Sequence, residues 1–211
     1  MNDLDNTTIR DDRMIDERSV EIPWLVTSLG KPAHVLDVGA AHARYLEAML
    51  KAGAEIIALD THPFTTSPDV RVCLGDAADL PDEWLNRFDL VTCISALDHI
   101  GLEAYGNPAD PGALEKSARE MWRVLQPGGR LLLTVPFGRD QVTSHPGGGQ
   151  RVFGMPALQA LFPVDQWHWR GTWFWKLTGD EYVLADEQAC AACEYDGIRA
   201  QSVVAMELEK P

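Results

Sequence analysis

From position 31 onward the apolar residues follow two alternating rhythms. Short runs rich in Val, Ile and Leu at 34–38, 55–59, 70–74, 89–94 and 130–135 have the length and β-branched content of buried strands. Between them lie stretches in helical period at 43–51, at 82–86 in a short piece, and at 113–126. The last is the clearest, because Leu114, Ala118, Met121, Trp122 and Leu125 fall at helical spacing and make one apolar stripe. Gln126-Pro127-Gly128-Gly129 then stops the helix and turns the chain into the next strand. Strands alternating with helices predict an α/β domain built on a parallel sheet with helices over it.

The flanks follow other patterns. Residues 1–18 are polar and acidic, the composition of a mobile tail or of a lid that orders on a ligand. The first apolar cluster runs from Val20 to Val26, with Pro23 placed to open a short helix. Residues 1–30 thus form a tail and short helix ahead of one domain at 31–211. Beyond Pro136, the glycine-rich stretch 138–149 predicts a surface loop, and a short helix follows at 156–162. Trp167, Trp169, Trp173 and Trp175 recur in even steps, which predicts an extended segment with its indoles on one face. Such a face suits an aromatic pocket or a subunit interface, as in a homodimer. A final strand is expected at 200–208.

Charge and composition narrow the partners. A net charge of −14 and a pI near 4.7 repel polyanions, so nucleic acid is not an expected partner. No apolar run approaches the roughly 20 residues that span a bilayer. The N-terminal residues MNDLDNTTIRDDRMIDERS are charged where a secretory signal is apolar, so a cytoplasmic protein without membrane contact is expected. Of the four cysteines, Cys73 and Cys93 fall in strand-like runs. Cys190 and Cys193 form a single CxxC that lacks the second pair of a structural zinc site, and no metal is expected.

The chemistry concentrates at the ends of the first strands. Gly39 follows the first strand and Asp60 ends the second, the spacing of a strand-turn-helix-strand unit that clasps a nucleoside with an acid on its ribose. A dinucleotide site needs glycines where this chain has Gly39, Ala41 and Arg44, and Asp37 before the turn repels a pyrophosphate. S-adenosylmethionine has no phosphate and carries a cationic amine and sulfonium, which an acid at position 37 attracts.

Five segments in order, HVLDVGAAHARYL at 34–46, IIALD at 56–60, Gly75-Asp76-Ala77, FDLVTCI at 88–94 and VLQPGGRLLLTVP at 124–136, resemble successive motifs of class I S-adenosylmethionine-dependent methyltransferases. The resemblance implies a Rossmann-like three-layer sandwich whose seven-stranded, mostly parallel sheet has its last strand antiparallel. It also implies S-adenosyl-L-methionine as cofactor, with Asp37 and Gly39 at the methionine moiety, Ala41 in the same cofactor-binding loop, Asp60 on the ribose, Asp76 and Ala77 at the adenine edge, and Ile94 with Ser95 below the sulfonium. The departure lies in the glycine loop, where Ala41 and Ala43 stand at the second and third glycine positions, and alanine tolerates a turn only at negative φ. A narrower similarity, in Glu21-Ile22-Pro23-Trp24, SALDHIGLEAYGNPAD at 95–110, Pro136-Phe137-Gly138 and Gln150-Arg151-Val152-Phe153, is to a little-characterised bacterial branch found among sugar, polysaccharide and secondary-metabolite genes. That branch implies a small-molecule or sugar acceptor.

Methyl transfer is an in-line displacement, so alignment supplies most of the rate and a base is needed only where the acceptor must lose a proton. His99, a few residues past the fourth strand, is the candidate base or acceptor-positioning group, with Asp98 beside it. Tyr105 and His145 are further candidates in loops, and Arg151 is a candidate grip on an acidic or sugar acceptor. Adjacent side chains usually point apart, which argues against Asp98 and His99 acting as a metal pair. The alternative to an enzyme is a non-catalytic scaffold on a degenerate version of the same fold.

Overall fold

The computed structural model describes residues 15–145 and 147–211. Helix α1 (Arg18–Ser28) precedes the units β1 (His34–Val38), α2 (Leu46–Lys51), β2 (Glu55–Asp60), β3 (Val70–Leu74) and β4 (Phe88–Ile94). Then come α3 (Ala113–Val124), β5 (Leu125–Pro136), the hairpin β6 (Gln141–His145) and β7 (Gly148–Val152), and α4 (Met155–Leu161). The chain ends with β8 (His168–Thr178), β9 (Glu181–Ala185), α5 (Glu187–Cys190) and β10 (Ser202–Glu209).

One eight-stranded sheet runs in the order β3-β2-β1-β4-β5-β10-β8-β9. The first five strands are parallel, and β10 enters antiparallel between β5 and β8. The seven strands implied by the family resemblance become eight, because β9 folds back on β8 through Gly179 at φ 63°. Within β9 only Tyr182 is buried, and Val183 and Leu184 face out together, so the strand has no alternating signature for a sequence to display.

Strand alternation sends side chains to two cores. Leu36, Val38, Ile57, Leu59, Val91 and Leu133 meet Leu114, Ala118, Met121 and Val124 of α3 on one face. Val35, Ile56, Ala58, Leu90 and Leu132 meet Trp24 and Leu25 of α1 and Leu46 and Met49 of α2 on the other. The three-layer sandwich follows from this division, and it turns Asp37 towards the α1–α2 layer.

Five local expectations are corrected. Pro23 lies inside α1 rather than opening it, since the helix begins at Arg18. The expected helix at 43–51 begins only at Leu46, as α2, with a 3₁₀ turn, Ala40–His42, ahead of it, and the piece at 82–86 is only a 3₁₀ turn, Asp82–Trp84. The glycine-rich stretch forms most of a β-hairpin instead of a loop. Its glycines permit close approach: a Cβ on Gly148 would lie 2.5 Å from the Glu103 carbonyl oxygen, and one on Gly149 would lie 2.9 Å from Leu102 Cβ. The indoles do not share a face, because the pairing of β8 with β10 shifts register between Glu207 and Leu208. One extra residue inverts the alternation, so Trp169 packs into the α3 core while Trp173 and Trp175 pack towards α1, with Trp173 5.7 Å from Trp24. Trp167 precedes the strand and is buried against Phe162.

Candidate active site

A cleft of about 640 Å³ opens over the carboxyl ends of β1, β2, β3 and β4. Its walls include Gly39, Ala41, Asp60, Asp76, Ala77, Ser95 and His99. Asp37, Ile94 and Asp98 stand behind the walls, all buried.

The turn after β1 is built on a single obligatory glycine. Gly39 takes φ 78°, and a Cβ there would overlap that of Ala96. Ala43 is extended at φ −69°, and Ala41 belongs to the 3₁₀ turn rather than to the positive-φ residues. The two missing glycines therefore cost the turn nothing. The Gly39 amide donates to the Leu59 carbonyl at 2.9 Å and the Ala41 amide donates to Asp60 Oδ2 at 2.9 Å, which fixes the β1 and β2 ends together. His62 N donates to the other Asp60 oxygen at 3.0 Å.

Below this turn, Asp37 Oδ1 accepts from the Tyr45 hydroxyl at 3.0 Å and from Thr92 Oγ1 at 2.5 Å, whereas Oδ2 has no hydrogen-bond partner among the described residues. Burial pushes the Asp37 carboxyl up to about 7 against these two bonds, and the same burial, with Asp37 beside it, drives the Tyr45 phenol far above its ordinary range.

Helix α1 adds two residues that the sequence reading missed. Arg18 lines the cleft and donates to Glu21 Oε2 at 2.9 Å and to the Ile94 carbonyl at 3.2 Å. Glu21 is fully buried and accepts from Ser95 Oγ at 2.5 Å. Ser95 takes φ 44°, with its amide bonded to both oxygens of Thr134. The signal was present as an Arg-x-x-Glu pair on one helical face, with the acid among apolar neighbours.

The turn after β4 brings Asp98 and His99 together instead of splaying them, with His99 Nε2 3.3 Å from Asp98 Oδ2. His99 Nδ1 lies 2.9 Å from the Gly149 carbonyl oxygen and therefore carries a proton. Gln150 Nε2 donates to the same Asp98 oxygen at 3.1 Å, and the Arg151 amide donates to the Asp98 carbonyl at 2.9 Å, so β7 is fastened to this turn. Tyr105 lines the cleft at φ 51°, its ring edge-on to His99 with centroids 5.0 Å apart. Arg151 donates to the Ile100 carbonyl at 3.3 Å and sits over the Phe153 ring. The His145 side chain lies outside the described part of the structure.

Residues 36–133 match the family model described as a methyltransferase domain. This is the region that holds β1 to β5 and most of the cleft. This segment is similar to the methyltransferase domain of the class I S-adenosylmethionine-dependent superfamily. The chain is 31% identical over 113 residues to a ubiquinone biosynthesis O-methyltransferase of Xanthomonas oryzae pv. oryzae, a match that covers 49% of this chain and 43% of that protein. A second one, from Xanthomonas campestris pv. campestris, is 29% identical over 127 residues, covering 55% and 48%. The chain thus spans less than half the length of these curated relatives.

Solved methyltransferases share the fold. The 1,6-didemethyltoxoflavin-N1-methyltransferase of Burkholderia thailandensis, solved with S-adenosylhomocysteine, superimposes at a TM-score of 0.62 with 19% identity over 90% of this chain and 76% of that one. The N-methyltransferase NodS of Bradyrhizobium japonicum WM9, also with S-adenosylhomocysteine, gives 0.61 with 14% identity over 92% and 86%. Among the described residues no helix is long and apolar enough to cross a membrane.

Proposed function

We propose that the methyltransferase domain transfers a methyl group from S-adenosylmethionine to an oxygen or nitrogen of a small-molecule or sugar acceptor. The observation that carries this reading is the convergence of Gly39, Asp60, Asp76, Ala77 and Ser95 on one cleft at the carboxyl ends of the parallel strands, where sheets of this type take their ligands. The names of the relatives, two O-methyltransferases and two N-methyltransferases, support either acceptor atom.

Two features fit this cofactor. Gly39, at φ 78° and packed against Ala96, puts its backbone on the cleft wall, and the buried Asp37 carboxyl behind it, pushed up to about 7, would be drawn to its ionised form by a cationic methionine end. In this reading Asp37, Gly39 and Ala41 serve the methionine moiety, and Arg18 pairs with its carboxylate. Asp60 holds the ribose, Asp76 and Ala77 meet the adenine edge, and Ile94 with Ser95 forms the floor below the sulfonium.

Bound there, the cofactor supplies an electrophilic methyl group. The chain's own work is to align the acceptor and exclude water. His99, with one ring nitrogen on Gly149 and the other beside Asp98, is assigned to positioning the acceptor at the cleft wall. The test is release of S-adenosylhomocysteine from S-adenosylmethionine across a panel of phenols, sugars and amines. Asp60→Ala should weaken cofactor binding at least about tenfold by removing a charge-assisted bond. Unchanged affinity would remove Asp60 from the site.

A further inference from the structure

The segment 101–110 leaves the end of β4, crosses the mouth of the cleft and returns to α3. Its stem is closed by the Asp110 amide on the Gly101 carbonyl at 3.2 Å. Gly101 at φ 79°, Tyr105 at φ 51° and Gly106 at φ 83° turn it sharply. One side is knitted to the β6–β7 hairpin: the Gly149 amide donates to the Glu103 carbonyl at 2.8 Å, and Ala104 bridges Gly148.

The other side reaches the opposite lip. Asn107 Nδ2 donates to Thr61 Oγ1 at 3.1 Å, and Thr61 Oγ1 meets His62 Nδ1 at 2.9 Å. Gly106 lies over His62, with 3.9 Å between its Cβ position and Nε2. Thr61 directly follows Asp60, and residues of both lips line the same cleft. A solvent-exposed side-chain bond thus spans the opening beside the proposed ribose-binding carboxylate.

We propose that Asn107, acting through Thr61, is a positioning residue that latches the segment 101–110 over the cofactor's nucleoside, so that the latch opens before the cofactor enters or leaves. The inference rests on the cofactor assignment made above. A latch that closes the empty and the loaded cleft alike costs both states equally when it is lost. Exchange rates change while affinity stays nearly constant. An exposed neutral hydrogen bond is worth about fivefold in an equilibrium or a rate.

The test is surface plasmon resonance of S-adenosylhomocysteine on the full chain, its Asn107→Ala and Thr61→Val variants, and the double variant. The latch predicts that association and dissociation rates each rise about fivefold in either single variant, that Kd moves by less than about twofold, and that the double variant matches the singles. Faster dissociation alone would make Asn107 a cofactor contact and overturn the latch. Unchanged rates, or additive effects in the double variant, would overturn it too. If the unaltered protein binds no S-adenosylhomocysteine, the cofactor assignment falls and the latch falls with it, a result distinct from the others. Both side chains are on the surface, and unchanged thermal midpoints show that the variants fold.

Discussion

Ser95 Oγ donates to Glu21 Oε1 at 2.5 Å, joining the first helix to the turn after β4 across 74 positions of sequence. Arg18 completes the link by holding the other Glu21 oxygen. A fully buried carboxylate with two such partners makes α1 part of the cleft wall.

Glu21→Ala leaves Arg18 and Ser95 without their shared acceptor. Removing one member of a buried charged pair costs about 3 kcal/mol, and urea unfolding should show a loss of that order. Glu21→Gln keeps the shape and one acceptor, so it should cost less. Equal losses in the two variants would make the effect one of packing instead of charge.

The glycine turn gives opposite expectations at two neighbouring positions. Gly39→Ala meets both a positive φ and the Ala96 side chain, so it should lower stability by about 1–3 kcal/mol and abolish S-adenosylhomocysteine binding. Ala41→Gly restores the family pattern at a position whose φ is already negative. It should improve affinity by less than about threefold and lower stability by about 0.5–1 kcal/mol through the freer unfolded chain. Thermal melts with and without the ligand measure both.

Asp37 sets a pH dependence. Its folded-state pKa near 7 lies above the ordinary carboxyl value of about 3.9, so between these limits the folded protein holds a proton that the unfolded chain has lost. Stability from this group is therefore full below about pH 4 and declines as pH rises towards 7. The decline amounts to a few kcal/mol, on the order of 1–4. Asp37→Asn should lack it, so the difference in unfolding free energy between variant and parent should grow in the variant's favour from about pH 5 to pH 8. A difference that is flat with pH would show an ordinary carboxyl at this site.

Lys210 tests the sheet's far end independently of the cleft. Its ammonium donates to Asn86 Oδ1 at 2.8 Å, to the Trp122 carbonyl at 3.0 Å and to the Leu125 carbonyl at 2.7 Å, and lies 3.9 Å from the Trp122 ring centroid. Lys210→Met strands three acceptors and should cost about 1–3 kcal/mol in denaturant unfolding, with cofactor affinity unchanged.

The parallel half of the fold was legible because its signals are local. Strands β1 and β3 fall where the apolar runs put them, and α3 follows its stripe, ending two residues early because Leu125 already pairs with Phe88. The antiparallel half depends on long-range facts. Neither the bulge that divides the tryptophans nor the contact of Gly148 and Gly149 with residues 102–104 leaves a local pattern. The same distinction holds at the cleft. Gly39, Asp60, Asp76 and Ser95 were readable from strand ends, while Arg18 and Asn107 arrive from elements whose placement only the folded chain determines. The closeness of Asp98 and His99 depends on a tight turn that spacing alone does not specify.

The most direct test of the account is calorimetric titration of the protein with S-adenosylhomocysteine, with NAD as the control ligand. Micromolar, one-to-one binding of the first and none of the second is the predicted result. No binding of S-adenosylhomocysteine would contradict the cofactor assignment and leave a scaffold built on a methyltransferase fold.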